Sequence, residues 1–191
     1  MSFIEIIKYE LEASVAVKKA VAENLSGVIA KAAEIIITSY QNGGKLLICG
    51  NGGSAADAQH IAGELVGRFL KERKALSAIA LTTDTSILTA LANDYCVEKI
   101  FARQVEAHGK PGDVLLAIST SGNSLNVIRA VETAKANGVI TVGLLGKGGG
   151  SMKGLCDTEI IIPSDNTQHI QEAHITIGHI ICGLVEQSLF Q

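Results

Sequence analysis

Leu46-Leu47-Ile48-Cys49-Gly50-Asn51-Gly52-Gly53-Ser54-Ala55-Ala56-Asp57-Ala58-Gln59-His60-Ile61-Ala62-Gly63-Glu64 is the stretch that decides the fold class. Four apolar residues run into a glycine cluster, and a stretch at helical spacing follows. An apolar run without polar alternation marks a strand covered on both faces, as parallel strands are. Working outward, residues 78–81, 114–118, 140–145 and 160–162 repeat the short apolar run. Helical patterns fall between and after them, at about 55–69, 85–91, 98–108, 124–137 and 167–189. Alternating β and α elements predict an α/β fold, a doubly wound five-stranded parallel sheet. Before the first strand, apolar residues recur at helical spacing from Phe3 to Tyr40, and Leu25-Ser26-Gly27 predicts a break into two helices. The expectation is a single domain over 1–191 with an N-terminal helical segment, 1–41, whose apolar stripes serve oligomerisation.

Composition narrows the function classes. With 47% hydrophobic and 18% charged residues in 191, the chain can bury a core without disulfide or metal staples. A net charge of −3 gives no basic field for nucleic acid. The four cysteines, Cys49, Cys96, Cys156 and Cys182, form no CxxC and read as small apolar residues in a reducing compartment. The N-terminus carries Glu5, Glu10 and Glu12 and lacks a signal-peptide pattern, and no apolar run approaches the roughly 20 residues of a membrane span. A soluble, cytoplasmic protein without membrane or nucleic-acid partners is expected.

In doubly wound sheets ligands bind at the carboxyl ends of the strands. After the first strand, Gly50, Gly52 and Ala55 satisfy a dinucleotide fingerprint. That fingerprint needs an acidic residue about 20 positions on; the nearest candidate, Asp84, lies 34 residues after Gly50 and reads as a helix cap. No Gly-Lys-Ser/Thr follows, which excludes a P-loop. The glycines still let backbone N–H groups approach an anionic or hydroxylated ligand, with Ser54 near the helix start. His60 and Glu64, at i and i+4, share one helix face, where they can bind a divalent metal together or act in acid/base catalysis. After the third strand, Ser119-Thr120-Ser121-Gly122-Asn123-Ser124 offers four hydroxyls at a helix start, a cradle for a phosphate monoester. The last helix adds His169, Gln171, Glu172, His174 and His179. Gln171 and His179 are about 12 Å apart along a helix axis and cannot easily grip one metal from one straight helix. Either Gln171 precedes regular helix, or the two serve different copies of a site shared across an interface. Asn93-Asp94 could bind sugar hydroxyls or form a plain turn.

Taken in order and spacing, Cys49 to Ser54, His60 with Glu64, Ala92-Asn93-Asp94, Gly112-Asp113-Val114 through Ser124, and Ile170-Gln171-Glu172-Ala173-His174 resemble the SIS (sugar isomerase) domain family. Within it they are similar to the phosphoheptose isomerases, which convert sedoheptulose 7-phosphate to D-glycero-D-manno-heptose 7-phosphate in heptose biosynthesis. The resemblance covers almost the whole chain. It implies a flavodoxin-like SIS domain, a homotetramer with sites at subunit interfaces, and a divalent metal, commonly zinc, at each site. By residue match it implies His60, Glu64, Gln171 and His179 as metal ligands. Asn51, Gly52, Gly53, Ser54, Glu64, Asn93, Asp94, Ser119, Thr120, Ser121, Ser124 and Gln171 would contact the sugar phosphate. Two positions depart from the pattern. His169 stands where Arg is usual, and Gln168 stands where Ala or Asp is common, a change that bears on hydroxyl contacts.

The activity so implied is aldose–ketose isomerisation through a cis-enediol(ate), with Glu64 as base, His179 as acid and zinc polarising oxygen. The rival reading is a non-catalytic SIS protein, either a sugar-phosphate sensor or an adaptor that binds the replication initiator. That adaptor lacks the Glu and final His, whereas this chain retains Glu64 and His179.

Overall fold

The computed structural model describes residues 1–190. Its centre is a five-stranded parallel sheet of β1 (Leu46–Cys49), β2 (Ala78–Ala80), β3 (Val114–Ser119), β4 (Ile140–Leu145) and β5 (Thr158–Ile161), ordered β2-β1-β3-β4-β5. The helices are α1 (Phe3–Gln41), α2 (Gly53–Val66), α3 (Thr85–Asp94), α4 (Ala102–His108), α5 (Leu125–Ala136) and α6 (Thr167–Leu189). Because successive strand side chains point to opposite faces, each strand serves two cores. Leu46, Ile48, Val114, Leu116 and Ile118 pack under α1, α2 and α6. Leu47, Cys49, Leu115 and Ala117 pack under α4 and α5. The expected doubly wound sheet is therefore present, and both cores are built from uninterrupted apolar runs.

Three expectations are corrected. The N-terminal segment is one helix of 39 residues and not two, spanning about 58 Å. Ser26 stays helical by donating its hydroxyl to the Ala22 carbonyl at 2.6 Å. Gly27 costs only about 1 kcal/mol relative to Ala, which the burial of Val21 and Ile29 on either side outweighs. A capping box fixes the helix start: the Glu5 amide donates to Ser2 Oγ at 3.3 Å and the Ser2 amide to Glu5 Oε2 at 2.6 Å. Next, Asn93 and Asp94 do not follow α3 but form its last residues. Finally, the stretch at 98–108 divides into a 3-10 turn at Val97–Lys99 and the short α4.

The sheet's carboxyl edge is where the chain changes winding direction, between β1 and β3. Of the cysteines, Cys49 and Cys182 are buried, and all four are free thiols. Burial pushes the thiols of Cys156 and Cys182 up to about 12, which keeps them protonated and inert. Among the described residues no helix is long and apolar enough to cross a membrane.

The continuous α1 yields a test. A Cβ at Gly27 would meet nothing within 4 Å, so Gly27→Ala is expected to stabilise the protein by about 0.5–1 kcal/mol. A urea midpoint that fails to rise would show that the helix does not run unbroken through this position.

Candidate active site

The loops after β1 and β3 lie side by side at the switch point. Ser2, Asp84 and Asn166 accept amide hydrogens as side-chain caps of α1, α3 and α6. By contrast, α2 begins at Gly52 (φ +56°) and α5 at Ser124, and neither residue makes a side-chain cap bond. An uncapped N-terminus offers amides and a positive dipole end to an anion; at α2 the Ser54 and Ala55 amides already donate to the Asn51 and Gly52 carbonyls, so α5 is the more open of the two. Ser124 Oγ instead lies 3.1 Å from Ser119 Oγ, and the Gly122 amide donates to Ser119 Oγ at 3.1 Å. The hydroxyl of Thr120 makes no hydrogen bond among the described residues. The two loops are tied together by Asn51 and Asn126, whose amides donate to each other's Oδ1, each at 2.9 Å. Both ends of the Asn51 amide are thus engaged, and Asn126, which carries no motif signal, is its buried partner.

Beside this cleft α2 and α6 run parallel and in close contact. A Cβ on Gly53 would come within 2.4 Å of Gln171 Nε2, and one on Gly178 within 2.8 Å of the Ile61 side chain. The missing Cβ atoms let the helices approach, and their next turns bring His60, Glu64 and His179 together. His60 Nε2 is 2.8 Å from His179 Nε2 and 3.1 Å from Glu64 Oε1. The three donor atoms all lie within 4.8 Å of one another. A single hydrogen on His60 Nε2 can satisfy only one of its two neighbours, whereas one divalent cation can be shared by all three. Two imidazole nitrogens and one carboxylate oxygen are a donor set suited to zinc and similar ions. The residues present therefore fit a metal.

Four further side chains support the cluster, and sequence reading singled out none of them. Asp57, one turn before His60, has a buried Oδ2 without a hydrogen-bond partner among the described residues. Burial raises its carboxyl above the usual range, partly offset by His60 and His179. Its i, i+3 spacing to His60 was the one available signal. Phe69 stacks on the His179 ring, centroids 5.8 Å apart. Arg73 and Glu186 form a buried ion pair at 3.1 Å. Arg73 also donates to the carbonyls of Glu64 at 2.8 Å and Leu65 at 2.7 Å, closing the end of α2. Glu186 accepts from the amides of Phe69, Leu70 and Lys71. Burial alone would raise its carboxyl; these bonds outweigh it and hold the group below the usual range. The pair thus fastens the end of α2 to α6, two turns beyond His179.

Other expected residues are placed elsewhere. Gln171 lies within regular α6, which removes the alternative that it precedes the helix. Its amide is over Gly53, at the far end of α2 from His60, so the donors that meet within one chain are His60, Glu64 and His179. Asn93 donates to Asp94 Oδ1 at 2.8 Å; both are exposed at the end of α3 and bond to no other expected site residue. His169 is buried, with Nε2 3.2 Å from Glu10 Oε2, which commits it to α1. Gln168 is exposed, and its amide donates to Asn166.

A parallel sheet with hydroxyl-bearing loops at its switch point and an imidazole–carboxylate cluster beside them is the arrangement of a ligand-binding α/β domain. The SIS domain pattern matches residues 9–146. The phosphoheptose isomerase of Roseiflexus sp. strain RS-1 is 53% identical over 190 residues, covering 100% of this chain and 96% of that one. That of Geobacter sp. strain M21 is 56% identical, covering 98% and 97%. The structure of a phosphoheptose isomerase from Francisella tularensis superimposes with a TM-score of 0.95 at 40% identity, over 98% of this chain and 100% of that one. The chain belongs to the SIS-domain family and, within it, to the phosphoheptose isomerases, and it is an isomerase.

One histidine of α6 stands apart from the cluster. His174 is fully buried, its Nε2–H donates to the Leu145 carbonyl at 3.1 Å, and its Nδ1 has no partner. Burial lowers it to about 4, so it is a neutral core residue. The unfolded chain, with an ordinary imidazole near 6.5, binds the proton more readily. Stability from this group is therefore complete above about pH 6.5 and lost as pH falls toward 4, by up to about 3 kcal/mol. His174→Gln keeps an N–H donor and cannot titrate, so its urea midpoint should fall less steeply over this window; parallel pH profiles would exclude His174 as a source of acid sensitivity.

Proposed function

We propose that this isomerase converts sedoheptulose 7-phosphate to D-glycero-D-manno-heptose 7-phosphate. The observation that carries the assignment of the chemistry is the convergence of His60, Glu64 and His179 beside the hydroxyl cleft. The phosphate is held by the hydroxyls of Ser119, Thr120, Ser121 and Ser124 and by the open amides of α5. No Lys or Arg lies within residues 119–124, which suits an anchored monoester over a phosphoryl group in transfer. The sugar then extends along the glycine loop, past Asn51, Gly52, Gly53, Ser54 and Gln171, toward the cluster. Asn93 and Asp94 reach the hydroxyls of a sugar bound by a neighbouring copy.

In the reaction Glu64 removes the C–H proton next to the carbonyl and returns it to the adjacent carbon. His179 exchanges the proton between the two oxygens and assists ring opening. His60 Nε2, pointed at both, holds them in register. His60, Glu64 and His179 would hold one divalent ion, zinc by donor type, with Gln171 completing the set from another subunit. When bound, that ion supplies Lewis acidity toward the sugar's oxygens.

A shared site needs an assembly, and we infer a homotetramer. Phe3, Ile4, Ile7, Leu11 and Val15 are 57–86% exposed along one stripe of α1, too much apolar surface for a helix that faces water. The stripe leads to a groove of about 340 Å³ between α1 and α6, lined by Val21, Ala22, Ile29, Ile180 and Leu184. A tetrameric mass by light scattering that falls for Ile7→Glu/Leu11→Glu is the expected result; a monomeric wild type rejects the assembly.

The chemistry is tested by Glu64→Gln. It should lower kcat at least ~10²-fold with phosphate binding retained, and bound zinc counted per site should fall with it. Turnover near the wild-type level would remove Glu64 from the role of base.

A further inference from the structure

The glycine run Gly146-Lys147-Gly148-Gly149-Gly150-Ser151-Met152 is absorbed by none of the roles assigned so far. It leaves the carboxyl end of β4 as a tight turn with Lys147, Gly148, Gly149 and Gly150 all at positive φ. Lys147, at +49°, is the one non-glycine residue in that region among the described residues, so the backbone here is held against its local preference. The turn presses on the loop after β3. A Cβ on Gly122 would fall 1.9 Å from the Gly149 carbonyl oxygen, and one on Gly150 2.4 Å from that of Ser121. The Met152 amide donates to the Gly122 carbonyl at 3.0 Å, and the Met152 side chain is anchored in the core.

Asn123 joins the two segments. Its Oδ1 accepts from the amide and the hydroxyl of Ser151, both at 2.9 Å. Its Nδ2 donates to the Ser121 carbonyl at 3.1 Å, and its own amide donates to Ser121 Oγ at 3.1 Å. One side chain therefore fixes the loop to the turn and the loop to itself.

We propose that Asn123 and the 147–152 turn form a brace that holds the hydroxyl loop in its phosphate-binding shape, which makes Asn123 a positioning residue for the reaction. This rests on the reading of residues 119–124 as the phosphate site. A loop of Ser, Thr and Gly is flexible by composition, and fixing each residue costs about 1 kcal/mol or more in entropy. A loop ordered only by its ligand would subtract that cost from affinity; the brace meets it during folding. Loss of the brace should thus weaken anion binding and leave the proton-transfer groups in place.

The test uses full-length wild type, Asn123→Ala, Ser151→Ala and the double variant. KM and kcat are measured with sedoheptulose 7-phosphate, and the competitive inhibition constant is measured with inorganic phosphate. Asn123→Ala should raise KM and the inhibition constant together by roughly 10-fold, with kcat changing much less, since it deletes three hydrogen bonds of ordinary strength. Ser151→Ala should raise both by about 3-fold, and the double variant should match Asn123→Ala because the pair acts as a unit. Should Asn123→Ala not fold by circular dichroism, Ser151→Ala, altered at an exposed position, decides. Unchanged KM and inhibition constants, or a loss confined to kcat, would overturn the brace. A wild type that turns over the sugar phosphate but is not inhibited by inorganic phosphate would overturn the phosphate-site reading, and the brace with it.

Discussion

The parallel contact of α2 with α6 is the constraint on which the geometry of the His60–Glu64–His179 cluster depends. Two helices meet with little space between them because Gly53 and Gly178 carry no side chain at the points of approach. Close packing fixes both the spacing and the rotation of the pair, since interiors tolerate little adjustment. His60 and Glu64 come from one helix and His179 from the other, so the cluster is defined by helix register and not by any loop. The buried Arg73–Glu186 pair completes this arrangement at the distal end. An ion pair so placed adds little net stability over an apolar substitute. Its value here lies in direction: the guanidinium fork reads the last carbonyls of α2, and the carboxylate gathers the amides that follow.

The function proposed divides the labour of binding and chemistry between two helices that start at the same end of the sheet. In the function proposed, the N-terminus of α5 and its hydroxyls receive the phosphate, and the N-terminus of α2 and its glycines let the sugar pass close to backbone. Both are uncapped by side chains, unlike α1, α3 and α6. With a net charge of −3 the protein does not attract phosphate by its overall field. The attraction proposed is local, from oriented dipoles, which act over the first turn only.

Much of the fold was legible in the sequence because it rests on period. Short apolar runs such as Leu46 to Cys49, bounded by glycines, read as strands buried on both faces, and five of them alternating with helices leave few topologies. The i, i+4 pair His60 and Glu64 was legible for the same reason. What failed was any question settled by tertiary energy. Ser26-Gly27 looks like a break, and it remains helical because Val21 and Ile29 on either side are buried. Arg73, within Lys71-Glu72-Arg73-Lys74, reads as part of a solvated charge run, yet its side chain is 1% exposed. That His179 rather than His174 meets His60 depends on how α6 is rotated against α2; the family resemblance named His179, whereas helical spacing alone did not. Asn123 carries no local signal of its role, because its partner Ser151 lies 28 positions away and across a strand.

The reciprocal amide pair of Asn51 and Asn126 bears on how the protein ages. Asn51 precedes Gly52, and an Asn-Gly peptide is the dipeptide most open to deamidation, because the unhindered glycine nitrogen can attack the side-chain carbonyl carbon. That attack needs the amide free to swing toward the backbone. Here both of its polar ends are held by Asn126, so the chemistry is suppressed while α5 remains docked. Conversion to aspartate would place a carboxylate against Asn126 Oδ1, and so a negative charge between the loops after β1 and β3. The clasp that joins the two ligand loops is therefore also what protects the glycine loop from chemical wear.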